Sequence, residues 1–270
     1  MPQVGVCIEI FFGDLPYADR IRRVAKLGFT AYEFWFHDKS FDGRALAAGA
    51  KDFDMLAELN AKHKLTVTDF VFNHPDGGIV ASLINGKDVG RLKDGLAQVI
   101  PLAKRIGCTR LISGSGNRVP GLSRDAARAN MIAALSELAP ICAREGITLI
   151  VEPFNTLVDH PDYFLDDPHL CVEVLRAVGS PNVRMLYDIY HMQIMRGNVT
   201  AFIRENLPLI GHFHAAGVPG RHEPDSGELS YPFLMREIDR LGYNGFVGLE
   251  YWPTVGHEES LKRTLKYLGG

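Results

Sequence analysis

One unit recurs along this chain: a short apolar run, a stretch with apolar residues at three- and four-residue steps, then a glycine. Eight apolar runs read as strands, over Val4–Phe11, Ala31–Trp35, Leu65–Phe72, Thr109–Ser113, Ile147–Val151, Val183–Tyr187, Ile210–His214 and Phe246–Glu250. Helical spacing is visible over Tyr17–Leu27, Lys51–His63, Lys87–Ile106, Arg124–Glu145 and Pro168–Val178. Ser123 is placed to cap the fourth of these, and Gly146 to end it. Gly28, Gly107, Gly146, Gly179 and Gly242 each precede a strand, where a left-handed residue turns the chain back toward a sheet. Eight such units in 270 residues match the size and rhythm of an α/β chain folded as a single (β/α)8 TIM barrel domain, over residues 1–270. A doubly wound open sheet is the alternative, but no G-x-G-x-x-G follows the first strand.

Composition narrows the setting. A net charge of −3 gives no sign of a nucleic-acid partner. The four cysteines (Cys7, Cys108, Cys142, Cys171) have no paired spacing and read as small buried hydrophobes in a reducing compartment. The opening Met-Pro-Gln-Val-Gly-Val lacks the pattern of a secretion signal, and no apolar run approaches a membrane span. The expectation is a cytoplasmic protein with a small-molecule substrate and no membrane partner. Homo-oligomer formation stays open.

Four of the predicted strands end in a polar side chain that an apolar strand does not explain: Glu152, Asp188, His214 and Glu250. A carboxylate there is costly to bury without a partner. The intervals are 36, 26 and 36 residues, one βα unit each, so the four fall on strands five to eight and share one rim. Three carboxylates and an imidazole suit a divalent metal ion, Mg or Mn before Co or Zn. By strand parity His212 and His214 share a face, with His214 nearer the strand end. Arg221, in the Gly- and Pro-rich stretch Ala215–Ser230, has the fork to clamp a carboxylate. That stretch is the longest expected to lack regular structure. Glu33 and Asn73 also fall near strand ends and are second-rank candidates for substrate contacts. Phe11, Trp35, Phe72, Phe154, Tyr251 and Trp252 could wall a pocket, although packing against helices is the simpler role for at least half of them.

The segments Val151–Asn155, Tyr187–Met192, Ile210–His212, Val218–Pro224, Gly227–Tyr231 and Gly248–Tyr251 are similar to those of the hydroxypyruvate isomerase family. This family lies within the xylose isomerase-like barrel superfamily, beside the ketose 3-epimerases. The resemblance covers essentially the whole chain. It implies that Glu152 and Glu250 are both metal ligands and an acid/base pair, and that Asp188 and His214 complete the metal site. It implies further that His191 and Arg221 contact substrate oxygens. One position departs: the isomerase branch often has glutamine where this chain has His214, and the 3-epimerase branch has histidine. The expected reaction is isomerisation of hydroxypyruvate, or a close 2-oxo-3-hydroxy acid, through an enediolate. The alternative is a ketose 3-epimerase. A metal-dependent phosphodiesterase and a non-enzymatic sugar-acid binder are weaker readings.

Overall fold

The computed structural model describes residues 1–42, 45–48, 51–73 and 81–269. Eight parallel strands close into a barrel: β1 (Gln3–Cys7), β2 (Ala31–Phe36), β5 (Thr66–Asn73), β6 (Arg110–Ser113), β7 (Thr148–Val151), β8 (Val183–Asp188), β9 (Ile210–Ala215) and β10 (Phe246–Leu249). They are neighbours in chain order, and β1 closes the ring on β10 with Gly5 opposite Gly248. The barrel and all eight predicted strands are therefore present. The open sheet is ruled out by the β1–β10 pairing.

Helices surround the ring: α1 (Tyr17–Lys26), α2 (Phe53–His63), α3 (Val89–Arg105), α4 (Arg124–Glu145), α5 (Pro168–Val178), α6 (Ile189–Met195), α7 (Val199–Asn206), α8 (Tyr231–Arg240) and α9 (His257–Leu268). Each of the five predicted helical stretches contains one. The hydroxyl of Ser123 accepts from Ala126 N at 3.2 Å, capping α4. All five glycines named as turn points adopt positive φ, between 64° and 90°. A side chain at those positions would meet the steric penalty that glycine escapes.

Two expectations are corrected, and one element had no expectation against it. The first strand stops at Cys7, not Phe11. Ile10 N and Phe11 N turn back to Cys7 O at 3.2 Å, and buried Arg20 holds the carbonyls of Ile8, Gly13 and Leu15. A guanidinium satisfying three carbonyls replaces the strand ladder there. A short antiparallel hairpin, β3 (Lys39–Asp42) and β4 (Ala45–Ala48), interrupts the second βα connection. Finally, Ala215–Ser230 does not stand alone as a long connection. It begins inside β9, contains a helical turn at Pro224–Ser226, and is matched in length by the connection from Glu152 to Asp167.

Two apolar layers hold the fold. The larger one lies between strands and helices, and all four cysteines are buried and free. The smaller fills the barrel interior with Phe36, Val71, Ile112, Ile150 and Leu186. Ile150 and Leu186 sit two residues before Glu152 and Asp188, so alternation turns those carboxylates to the same inward face. No helix among the described residues is long and apolar enough to cross a membrane.

Candidate active site

Glu152, Asp188, His214 and Glu250 meet inside the rim at the carboxyl ends of β7 to β10. One ligand atom from each lies within 4.8 Å of the others, and all four side chains are buried. His214 Nδ1 is 3.3 Å from Glu250 Oε2 and 3.5 Å from Glu152 Oε1. Asp188 divides its two oxygens. Oδ1 accepts from Tyr190 N at 2.8 Å and caps α6, which leaves Oδ2 facing the site. Buried Glu152 Oε1, Asp188 Oδ2 and His214 Nδ1 have no hydrogen-bond partner. Buried polar atoms without partners are costly, and a divalent cation would satisfy all three at once. The donor set of three carboxylates and one imidazole fits such an ion.

The electrostatics are unequal. Burial raises the Glu152 carboxyl to about 8; His214 opposes this, while Glu250 and Asp188 add to it. Burial also lifts Asp188 to about 6, against the pull of Arg221 and His214. Burial works against ionisation of Glu250 too, but His214 and Arg221 overcome it and hold that carboxyl at about 2. In the metal-free protein, then, Glu250 is ionised at neutral pH and Glu152 keeps its proton.

The remaining predicted residues separate into two groups. Arg221 does reach the site: its guanidinium pairs with Glu250, approaches Asp188 Oδ2 at 3.5 Å and lies over the Tyr190 ring at 5.2 Å. Its backbone holds φ at 55°, a conformation that costs a non-glycine residue about 1–3 kcal/mol. His191 is buried against Phe154, with Nδ1 2.6 Å from Asn155 Nδ2 and Nε2 3.5 Å from Asp188 Oδ2. Burial, with Arg221 and His160 adding to it, drives its pKa well down, so the ring is neutral.

Asn73 has no polar atom left over for a substrate. Asn73 donates to Ala81 O and Gly114 O and accepts from Ser113 Oγ and Gly114 N, all at 2.9–3.0 Å. Its amide has no capacity left. Glu33 is buried between His212, His214 and Thr68. Among the aromatics, Phe11 packs on Tyr251 edge to face, and the Tyr251 hydroxyl bonds Ser260 and Thr264 on α9, so both serve the helical layer. Phe72 belongs to that layer as well. Trp35 has a polar task that its apolar reading missed: Nε1 donates to Glu250 Oε1 at 2.7 Å. A tryptophan at a strand end needs a partner for its N–H, and this was the available signal. Asp69, inside β5, was also missed.

The loop that carries Arg221 is packed backbone on backbone. A methyl group at Gly227 would stand 2.6 Å from Val218 N and 2.8 Å from Val218 O. Gly227→Ala is expected to shift the loop and lower kcat/KM by about 10²-fold, the scale of a misplacement near 1 Å. Steady-state kinetics beside a melting curve will separate this from unfolding.

A model of the xylose isomerase-like TIM barrel family matches residues 21–269. The chain belongs to that family. A 2-oxo-tetronate isomerase of Cupriavidus necator is 31% identical, covering 100% of both chains. The hydroxypyruvate isomerase of Escherichia coli is 30% identical, covering 94% of this chain and 95% of the relative. Among solved structures, one titled as an AP endonuclease, family 2, from Brucella melitensis superposes with a TM-score of 0.87 at 33% identity, covering 99% of both chains. The resemblance on which the sequence reading rested is thus a family relationship.

Proposed function

We propose that the protein is a metal-dependent isomerase that interconverts hydroxypyruvate, or a close 2-oxo-3-hydroxy acid, with its 2-hydroxy-3-oxo isomer. The relatives that span the chain are isomerases by name, and the chain is an isomerase of that kind. The observation that carries the finer reading is the convergence of Glu152, Asp188, His214 and Glu250 with Arg221 against them. When bound by these four residues, a divalent cation supplies Lewis-acid polarisation of the substrate carbonyl and hydroxyl.

The chain's own groups then carry out the proton movements. One glutamate carboxylate removes the proton from the hydroxyl-bearing carbon, and the substrate becomes an enediolate. The other glutamate assists delivery of a proton to the neighbouring carbon, while the hydroxyl proton passes to the former carbonyl oxygen. Atoms balance within one molecule, and no oxidant is needed. Glu250, which Arg221 and His214 keep ionised, can take up a proton without first losing one. Trp35 and Arg221 hold its two oxygens in place. Arg221 also offers the substrate carboxylate its cation. Neutral His191 sits where its free Nε2 faces the Asp188 side of the site.

Arg221→Ala is expected to raise KM for an acid substrate by roughly 30-fold, about 2 kcal/mol of lost charge pairing. The KM for a neutral ketose should change far less.

A 3-epimerase reading is favoured by one observation, the imidazole of His214 in the ligand set. The deciding experiment supplies Mg²⁺ or Mn²⁺ and offers hydroxypyruvate, 2-oxo-tetronate and free ketoses in D₂O. Isomerisation should place solvent deuterium on the former carbonyl carbon of the acid. Turnover of ketoses with neither acid consumed would establish the epimerase instead.

A further inference from the structure

Deeper in the barrel lies a second polar cluster that the proposed proton transfers do not use. Glu33 from β2, Asp69 from β5 and His212 from β9 are buried there, and with His214 their ligand atoms lie within 4.8 Å of one another. His212 Nε2 bonds Glu33 Oε2 at 3.1 Å and lies 3.1 Å from Asp69 Oδ2. Thr68 Oγ1 donates to the same Glu33 oxygen at 3.1 Å. The other Glu33 oxygen, Oε1, has no hydrogen bond and stands 3.2 Å from His214 Nε2. Gly248, opposite His214 in the β9–β10 register, leaves the room: a methyl group built on it would overlap both carboxylate oxygens of Glu33.

The two nitrogens of His214 therefore face different surroundings. Nδ1 looks toward Glu152 and Glu250, and Nε2 looks toward Glu33. A neutral imidazole that ligates through one nitrogen carries its proton on the other. Buried without an acceptor, that N–H would cost about 1–3 kcal/mol. A carboxylate behind a ligating histidine fixes the tautomer and strengthens the ligand.

We propose that Glu33 is the positioning residue for His214. Held by Thr68 and His212 in the space that Gly248 leaves, its Oε1 accepts the Nε2–H and presents Nδ1 to the cation. This rests on the metal reading of the quartet. A second cation inside the deeper cluster is the competing arrangement. It would have to claim His214 Nε2, and one Glu33 oxygen is already taken by Thr68 and His212.

Two measurements test the assignment: Mn²⁺ titration calorimetry of the chelator-stripped protein, and long-range ¹H–¹⁵N spectra of histidine-labelled protein with Mg²⁺. The wild type should bind one ion per chain with His214 as the Nε2–H tautomer. Glu33→Ala should weaken Mn²⁺ binding by about 10–100-fold and remove that tautomer signature. Glu33→Gln, which retains a carbonyl acceptor, should lose less. Gly248→Ala should reproduce the loss with Glu33 intact, and it carries the test if Glu33→Ala does not fold. Folded Glu33→Ala or Gly248→Ala protein that binds Mn²⁺ like wild type overturns the proposal. So does a wild-type stoichiometry of two that falls to one in Glu33→Ala. A wild type that binds no ion overturns the quartet reading itself, and this assignment with it.

Discussion

Replacing Glu152 or Glu250 by glutamine should lower kcat/KM for isomerisation by about 10³–10⁴-fold, the upper range for loss of a general acid or base. The expected loss exceeds that for Arg221→Ala because each substitution removes a proton carrier and a charge from the ligand set together. The two variants should differ in detail. Glu250 is clamped by Trp35, Arg221 and His214, so Glu250→Gln removes the nearer anion of a half-buried guanidinium and leaves it only Asp188, 3.5 Å away. Removing one partner of a buried ion pair costs about 3–5 kcal/mol, and a lower melting temperature should accompany the lost activity. Glu152 keeps its proton in the metal-free protein, so Glu152→Gln is close to isosteric with the resident state. It should fold with wild-type stability while remaining inactive. Retention of full turnover in both variants would remove the acid/base assignment.

Stripping the protein with a chelator should abolish turnover, and Mg²⁺ or Mn²⁺ should restore it. At 100 times its Kd, a ligand bound only by the folded state stabilises by about 2.7 kcal/mol, so melting should report occupancy independently of activity. The affinity should also depend on pH, and the sign follows from the carboxyls. Glu152 holds its proton up to about 8, and Asp188 up to about 6. Below those values a cation must displace protons to bind, so affinity rises with pH. Between pH 6 and 8 the gain should be about tenfold per unit for the one proton on Glu152. His214, which Glu33 and Glu250 keep protonated in the metal-free chain despite its burial, makes the slope steeper. Calorimetry in two buffers of different ionisation enthalpy will count the protons released. Affinity independent of pH over this interval would contradict the picture.

Much of this molecule was legible before its structure. Glycines at fixed places after helical runs, and carboxylates at regular intervals behind apolar runs, are statements about backbone geometry and burial that a sequence carries directly. They placed the barrel and brought the quartet to one rim. The misreadings arose where a residue's role depends on what faces it across the barrel. Asn73 and Glu33 look alike from sequence, polar groups near strand ends. Yet Asn73 bonds backbone groups of the loop at Gly114, and Glu33 faces two histidines 179 residues or more further on. Helix α6 was invisible because its seven residues are too few for a helical period and begin directly after Asp188. The hairpin β3–β4 has alanine along one arm, which gives neither a strand nor a helix signal.

The closing contact of the ring also sets an order of events during synthesis. Glu33 and Trp35 leave the ribosome early, whereas their partners His212, His214 and Glu250 come near the end, with Trp35 and Glu250 separated by 215 positions. Contacts of such long range form late and favour slow folding. A nascent chain released part-way therefore holds only part of the proposed metal site and of its proposed support. If the quartet holds an ion, its uptake belongs to the finished polypeptide, and a truncated product should emerge unable to bind it.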